Sequence, residues 1–387
     1  MSPSTSSVIE PEEKAASNTW ARVLLVFCLL YVFLAGVNGL GGGFKALGGD
    51  LLDAFFAATT NPFLGLVVGL LATTLVQSSS VTTSLVVAMV AAPENPLPIA
   101  NAVPMVMGAN IGTTVTNTVV SLAHMSRPDE FRRAFAVATC HDFFNFMAVF
   151  LLLPLEMATG YLQRAASVLA SAFAGIGGVT YDSPIKTAIK AGATPVKKFA
   201  ELFTDSAQIQ AVIIILVCGV LIYAALFFLV KTMRVLLRAK VEGAVTGALD
   251  RQPLLAMAIG MIVTAMVQSS SITTSLLVPL SGAGIITLAQ AFPVTIGANV
   301  GTTITALLAS LAVSGENAVA GVTIAVVHLL FNLSATLLIY PVKRVREIPL
   351  GAARKLADIA ISNRVAALAY VVILFYVLPM ALAALNR

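Results

Sequence analysis

The chain has 387 residues, 58% of them hydrophobic and only 11% charged, with a mean hydropathy of +0.94. Soluble domains carry about 25% charged residues, and here no Asp, Glu, Lys or Arg occurs in residues 54–93 or 252–315, so a soluble fold is excluded and an integral membrane protein is expected. The net charge is +5, but the 23 basic residues fall in loops, which argues against a nucleic-acid partner and reads them as topology determinants.

In chain order, residues 1–20 are polar, carry Glu10, Glu12 and Glu13, and lack the basic start and short apolar core of a cleaved signal. A hydrocarbon layer of about 30 Å needs roughly 17–25 apolar residues per helix. Runs of that length predict membrane helices at 23–40, 98–122, 135–155, 209–230, 285–311, 319–340 and 365–385. Two further runs, 62–90 and 254–280, are too long for one upright span and carry Gln-Ser-Ser-Ser at their centres. Each predicts a re-entrant hairpin or broken helix, because polar backbone at membrane depth is tolerated only when protein encloses it. The glycine-rich stretch 39–49 is followed by no Gly-Lys-Ser/Thr and predicts a flexible connector, not a phosphate loop. Cys28, Cys140 and Cys218 lie in apolar runs without metal or disulfide spacing.

The chain contains one unit twice. Residues 77–85 (QSSSVTTSL) and 268–276 (QSSSITTSL) agree at eight of nine positions, and 108–116 (GANIGTTVT) and 297–305 (GANVGTTIT) at seven of nine. Pro104 matches Pro293, and His141, Phe144 and Asn145 match His328, Phe331 and Asn332. The expected organisation is a cytosolic tail, first span and connector (1–60), repeat 1 (61–156), an external loop, linking span and cytosolic loop (157–251), repeat 2 (252–341), and a cytosolic linker with the last span (342–387).

Loop charges orient the copies. Lys231, Arg234, Arg238, Lys240 and Arg251 precede repeat 2, whereas Lys45, Asp50 and Asp53 precede repeat 1. Arg127, Arg132 and Arg133 follow the Asn-x-x-Thr-Thr span of repeat 1, and residues 314–319 after its counterpart have no basic residue. If basic loops face the cytoplasm, the repeats are inverted, as in many secondary transporters. The fold class expected is an all-α polytopic bundle of two inverted repeats, each with a broken Gln-Ser-Ser-Ser element.

Two such copies meeting near the midplane would line a neutral pocket with Gln77, Ser78, Ser79, Ser80, Gln268, Ser269, Ser270 and Ser271. Asn110, Thr113, Thr114, Asn299, Thr302 and Thr303 would add further amides and hydroxyls. Hydroxyls and freed carbonyls suit a hard cation such as sodium, and N–H groups at half-helix N-termini suit an oxyanion. No Lys or Arg lies near either motif, so an anion of phosphate size would depend on co-bound cations for its charge balance. That dependence favours a symporter over an anion channel. Asp142 is an ionisable group inside a span, with Leu329 at the matching place. His141 and His328 read as satisfied intramembrane histidines, Glu156 as interfacial, and the Gly65/Gly69, Gly108/Gly112 and Gly297/Gly301 pairs as helix packing. An intramembrane serine hydrolase using His141 and Asp142 is disfavoured: adjacent side chains on a helix diverge, and no Gly-x-Ser-x-Gly elbow exists.

The strings from Gln77 (QSSS), Gly108 (GANIGTTVTNTVVSL), Glu130 (EFRRAF), His141 (HDFFN) and Leu152 (LLPLE) resemble the type II sodium-dependent phosphate cotransporters, and repeat 2 resembles that family's second half. The likeness covers about residues 60–345. It implies sodium-driven symport of inorganic phosphate with no resident cofactor, sodium being the coupling ion. It implies a sodium site at Gln268, Ser269, Thr302 and Thr305, and places Gln-Ser-Ser-Ser serines near phosphate. Phosphate contacts are accordingly expected from Gln77, Ser78, Ser79, Ser80, Ser270, Ser271, Asn110, Thr113, Thr114, Asn299 and Thr303. Electrogenic members carry aspartate at the position of Asp142 and electroneutral ones glycine, so Asp142, grouped with Asn145, is expected to bind an additional sodium ion. Residues 157–205 lack the cysteines and glycosylation sequon of the animal members, and one span follows repeat 2, which implies a compact member of a bacterial inner membrane with an external C-terminus. A homodimer in a lipid bilayer is compatible with this. Sulfate or a carboxylate is the rival substrate, since neutral hydroxyls bind many oxyanions.

Overall fold

The computed structural model describes residues 10–47, 59–176, 184–249, 252–313 and 315–385, and the regular elements in these segments are helical. α1 (Glu10–Leu47) leads to the pair α2 (Pro62–Val76) and α3 (Ser79–Val90), then to α4 (Ile99–Gly112) and α5 (Val115–Ser121). The 32-residue α6 (Pro128–Thr159) is followed by α7 (Tyr161–Ile176), α8 (Pro184–Glu201) and α9 (Ala207–Leu249). The second half holds α10 (Pro253–Val267), α11 (Ser270–Gly282), α12 (Leu288–Ala312), α13 (Ala318–Ile339) and α14 (Lys343–Ser362). The last span is α15 (Arg364–Val372), a π-helical turn (Ile373–Val377) and α16 (Leu378–Leu385).

Among the described residues six helices are long and apolar enough to cross a bilayer, at Trp20–Gly43, Pro128–Thr159, Ala207–Met233, Leu288–Ala312, Ala318–Ile339 and Arg364–Ala384. The chain is a multi-pass, all-α membrane protein. Within these spans, 67–78% of the most apolar window is buried for α6, α12 and α13, against 22–33% for α1, α9 and the last span. The repeat helices therefore form the core. The outer helices present apolar stripes such as Leu24, Phe27 and Tyr31 on α1 and Ile209, Leu216 and Val220 on α9.

Both long apolar runs break at the expected place. α2 starts on Asn61, whose Oδ1 accepts the Phe63 N–H (3.0 Å), and ends at Gln77, which takes left-handed backbone (φ 58°) while its N–H reaches the Thr73 carbonyl (2.7 Å). Ser78 is extended, and its Oγ accepts the Val81 N–H (3.3 Å) to start α3. The second copy repeats this: Gln268 has φ 59° and its N–H reaches Thr264 O (2.7 Å), and Ser269 is extended before α11. Side chains tie the legs of each break, Thr73 to Thr82 (3.0 Å) and Thr264 to Thr273 (2.8 Å).

Glycines let the helices of each repeat cross backbone to backbone. A β-carbon on Gly108 would lie 1.9 Å from the Leu66 carbonyl oxygen, and one on Gly297 1.9 Å from that of Met257. α2 thus seats on α4, and α10 on α12, with no room for a methyl group.

Four features differ from the expected layout. The span expected at 98–122 is broken between α4 and α5 at Thr113 and Thr114, whereas α12 runs unbroken through Thr302 and Thr303. The break accompanies bonds unique to repeat 1: Asn117 on α5 donates to Thr274 Oγ1 (2.7 Å) and accepts from Ser275 Oγ (3.0 Å), while Ala306 stands at the matching position. The stretch 39–49 is helical as far as Leu47, because its bare faces let α1 seat on α9; a β-carbon on Gly39 would meet Cys218 Sγ at 2.7 Å. Gly48, Gly49, Asp50, Asp53 and Arg251 lie outside the described residues.

Two stretches expected as loops are also helical. α7 and α8 occupy much of residues 157–205, and the Glu156 carboxylate starts α7 by accepting the N–H groups of Leu162 (2.5 Å) and Gln163 (3.2 Å). The expected linker after residue 342 is α14, whose Leu350, Ala353, Ala357 and Ala360 are buried. Asp358 on its polar side pairs with Arg132 of α6 (2.6 Å).

Gly297→Ala is expected to destabilise the protein by about 1–3 kcal/mol through overpacking, read as a lower thermal midpoint in detergent. Ala substitution at Gly219, which has open space around it inside α9, is the control and should not lower the midpoint.

Candidate functional site

Both Gln-Ser-Ser-Ser turns face one cavity of about 320 Å³. Residues 77–80 and 268–271 supply its polar wall, Thr116 of α5 adds a hydroxyl, and Tyr223, Leu226, Phe227 and Val230 of α9 close the apolar side. No Lys, Arg, Asp or Glu is among the lining residues. α3 and α11 begin here, so their first-turn N–H groups and positive dipole ends are directed to the cavity, and α2 and α10 end here with their last carbonyls.

The glutamines are held by equivalent threonines. Thr116 Oγ1 donates to Gln77 Oε1 (2.9 Å), and Thr305 Oγ1 donates to Gln268 Oε1 (2.8 Å). Each amide also donates back to its own helix, Gln77 Nε2 to the Thr74 carbonyl and Gln268 Nε2 to that of Ala265. The environments then diverge. Gln77 is exposed to the cavity, whereas Gln268 is buried. Ser80, reaching across from repeat 1, places its Oγ 3.2 Å from Thr305 Oγ1 and 3.4 Å from the Gln268 carbonyl oxygen. Four oxygens, namely the Gln268 carbonyl and Oε1, Ser80 Oγ and Thr305 Oγ1, therefore gather in one buried corner, a donor set suited to a hard cation.

Behind the cavity lies a buried amide network. Asn145 Oδ1 accepts from Asn110 Nδ2 (2.9 Å) and Asn299 Nδ2 (2.8 Å), and Asn145 Nδ2 donates to the Asn110 carbonyl (3.0 Å). Asn110 and Asn332 also bond to each other (3.2 and 3.3 Å), His141 Nε2 meets Asn299 Oδ1 (2.6 Å), and His328 Nε2 meets Asn110 Oδ1 (3.4 Å). These contacts join α4, α6, α12 and α13.

Asp142 is fully buried on α6. Its Oδ2 accepts two hydroxyl bonds, from Thr118 on α5 (3.0 Å) and from Tyr370 on α15 (2.9 Å), and its Oδ1 has no hydrogen-bond partner among the described residues. An ionised carboxylate with one oxygen satisfied and the other bare is costly unless a cation meets it or a proton neutralises it.

The Na+/Pi-cotransporter family model matches residues 32–181 and 215–353. The chain belongs to the Na+/Pi-cotransporter family. It is 32% identical to the human sodium-dependent phosphate transport protein 2B over 446 aligned positions, covering 93% of this chain and 64% of that protein. It is 34% identical to the rat sodium-dependent phosphate transport protein 2A, covering 92% of this chain and 66% of the relative. The chain thus spans just under two thirds of the length of these relatives. No solved structure matches it significantly.

Of the residues expected at the site of this Na+/Pi cotransporter-family chain, the structure brings Gln77, Ser78, Ser79, Ser80, Gln268, Ser269, Ser270 and Ser271 to one cavity, with Thr305 beside Gln268. Asn110, Asn145 and Asn299 do not line it; their amides are spent on one another. Thr113, Thr114, Thr302 and Thr303 do not line it either. Their hydroxyls donate to the helix carbonyls of Ala109, Ile111, Ala298 and Val300 (2.7–3.0 Å) and keep only acceptor capacity, which suits a cation and not a phosphate oxygen. Asp142 sits apart from the cavity.

No serine–histidine–carboxylate relay exists among the described residues. His141 bonds Asn299 and Asp142 bonds Thr118 and Tyr370, so the two diverge as adjacent helical residues must. Sequence reasoning missed Thr116, Thr118, Asn117 and Tyr370. Thr116 had a signal, since it matches Thr305 in the repeat, whereas Tyr370 lies outside both repeats and had none.

Asn145→Leu is expected to leave the Asn299 amide donor unsatisfied, at about 1–3 kcal/mol, and to leave the Asn110 amide with Asn332 alone. The variant should lose thermal stability and folded yield together; unchanged stability would show that the network is not structural.

Proposed function

We propose that the protein is a sodium-coupled symporter of inorganic phosphate, working by alternating access of two inverted repeats. The observation that carries this reading is the convergence of two broken, duplicated Gln-Ser-Ser-Ser elements on one cavity without a cationic side chain, in a chain of this family. The relatives named above are sodium-dependent phosphate transport proteins, which supports the same substrates here.

In this mechanism phosphate is held by first-turn N–H groups of α3 and α11 and by the hydroxyls of Ser78, Ser79, Ser270 and Ser271, with the Gln77 amide beside them. Helix N-termini favour an anion, and carbonyls at the broken ends favour sodium. One sodium ion fits the corner of Gln268, Ser80 and Thr305, with Ser269 and Thr302 as the next oxygens. Sodium there supplies the positive charge the side chains lack, so each ligand strengthens the other; that mutual dependence is the coupling.

Asp142 binds a further cation at its bare Oδ1. With divalent phosphate this carries net positive charge inward in each cycle. Asn110, Asn145 and Asn299 hold the repeat helices together and bind no substrate in this reading. The surrounding membrane is a bilayer contacted by the apolar stripes of α1 and α9, taken to be a bacterial inner membrane because residues 157–205 lack cysteines. A homodimer is the assembly to check by mass in detergent.

Uptake of radiolabelled phosphate into proteoliposomes tests the proposal, with an inward sodium gradient against a potassium control and an inside-positive potential in parallel. The expected result is sodium-dependent uptake slowed by that potential; uptake of sulfate or a carboxylate in place of phosphate would reassign the substrate. Thr305→Val should raise the sodium concentration for half-maximal uptake about tenfold, with unchanged protein abundance. Asp142→Gly should lower the charge moved per phosphate while uptake continues, and an unchanged ratio would remove Asp142 from the cation path.

A further inference from the structure

Tyr370 reaches the most deeply buried carboxylate among the described residues from a helix that belongs to neither repeat. It lies on α15, two residues before the end of that helix's regular turns and ahead of the π-helical turn at Ile373–Val377. Its hydroxyl lies 2.9 Å from Asp142 Oδ2. An ionised carboxylate only accepts, so the tyrosine is the donor. Thr118 donates to the same oxygen from the opposite partner helix, α5 (3.0 Å), and Oδ1 has no hydrogen-bond partner among the described residues.

The tyrosine ring has little freedom to change this. Its centroid is 6.4 Å from Phe135, 6.4 Å from Phe143 and 6.2 Å from Phe375, so aromatic neighbours from α6 and from the π-helical turn surround it. Offset and edge-on aromatic contacts at such distances fix ring orientation. α15 is itself anchored by Asn363, whose Oδ1 accepts the N–H groups of Val365 (3.0 Å) and Ala366 (3.3 Å). The hydroxyl is therefore delivered to Oδ2 by a braced ring on a capped helix.

Two donors on one carboxylate oxygen do two things. They compensate part of the cost of an ionised group in a fully buried place, because hydrogen bonds to charge are roughly twice as strong as neutral ones. They also pin the carboxylate plane, so that Oδ1 presents its lone pairs in one direction. We infer that Tyr370 is a positioning residue for cation binding: it aims Asp142 and thereby links the last span to the charge-carrying step. The inference rests on the proposed role of Asp142. It implies that repeat 2, with Leu329 at the matching place, needs no such tyrosine.

The test uses the full chain in proteoliposomes and four proteins: the unaltered chain, Tyr370→Phe, Asp142→Gly and the double variant. Phosphate uptake is measured against sodium concentration, and charge moved per phosphate is recorded. Tyr370→Phe keeps the ring and its packing and removes only the hydroxyl. It should raise the sodium concentration for half-maximal uptake about tenfold, with maximal uptake at saturating sodium within about twofold of the unaltered chain. In the Asp142→Gly background the same change should have no further effect on sodium dependence. Thr118→Val, which removes the other donor, should shift sodium dependence in the same direction. The inference is overturned if Tyr370→Phe leaves the sodium curve in place while Asp142→Gly still lowers charge per phosphate. Equal loss of maximal uptake and abundance from Tyr370→Phe in both backgrounds overturns it as well, because that is the mark of a packing role. If Asp142→Gly leaves charge per phosphate unchanged, the Asp142 reading falls and the inference falls with it.

Discussion

Where a helix stops in the middle of a membrane, its last carbonyls and the next helix's first N–H groups lose their partners, and lipid offers none. The breaks at Gln77 and Gln268 create that situation twice, and much of the surrounding architecture answers it. Left-handed backbone at each glutamine returns one N–H to its own helix, and each glutamine amide returns a second bond to a carbonyl of the last turn. The remaining groups face a shared cavity that α9 closes from the side. Glycines at the α2–α4 and α10–α12 crossings bring α4 and α12 directly against the broken elements, so the polar turn is shielded by backbone and not by bulk.

The polar residues inside this enclosure divide into two groups by what their donors do. Asparagine amides are paired across helices and threonine hydroxyls are bonded back to carbonyls, so these side chains mostly satisfy the protein itself. Serines at the two turns face the cavity, and Ser80 reaches the Gln268–Thr305 pair, itself bonded at 2.8 Å, only through longer contacts of 3.2–3.4 Å. Those weaker contacts are the ones an ion or an oxyanion can replace at little cost. A duplicated, strongly bonded scaffold thus carries a small set of loosely engaged groups.

The two copies are alike in scaffold and unlike in charge. Thr116 and Thr305 hold their glutamines in the same way, and the Thr73–Thr82 and Thr264–Thr273 ties are equivalent. Repeat 1 then adds Asn117, Thr118 and Asp142 where repeat 2 has Ala306, Leu307 and Leu329. The α4–α5 break occurs in the copy that carries these extra polar residues. Asymmetry of this kind gives one half of a duplicated scaffold a buried carboxyl where the other has an aliphatic side chain.

Much of this was readable in the sequence, for identifiable physical reasons. Bilayer thickness forces apolar runs of a set length, so the spans of α6, α9, α12 and α13 appeared directly in composition. Four polar residues centred in an over-long apolar run required a break, and duplication showed that the break recurs. Amphipathic α7, α8 and α14 were not legible, because helices that do not cross the membrane need no long apolar run and their charge looks like loop. The sequence by itself also determined that the site would be neutral, since no Lys or Arg lies near the motifs. Only the tertiary structure decided which polar groups are spent and which are available, because asparagines, serines and threonines look alike until their partners are known. It likewise brought Tyr370 to Asp142 across 228 residues of chain, a contact that depends on how the last span docks against α6 and that no local pattern encodes.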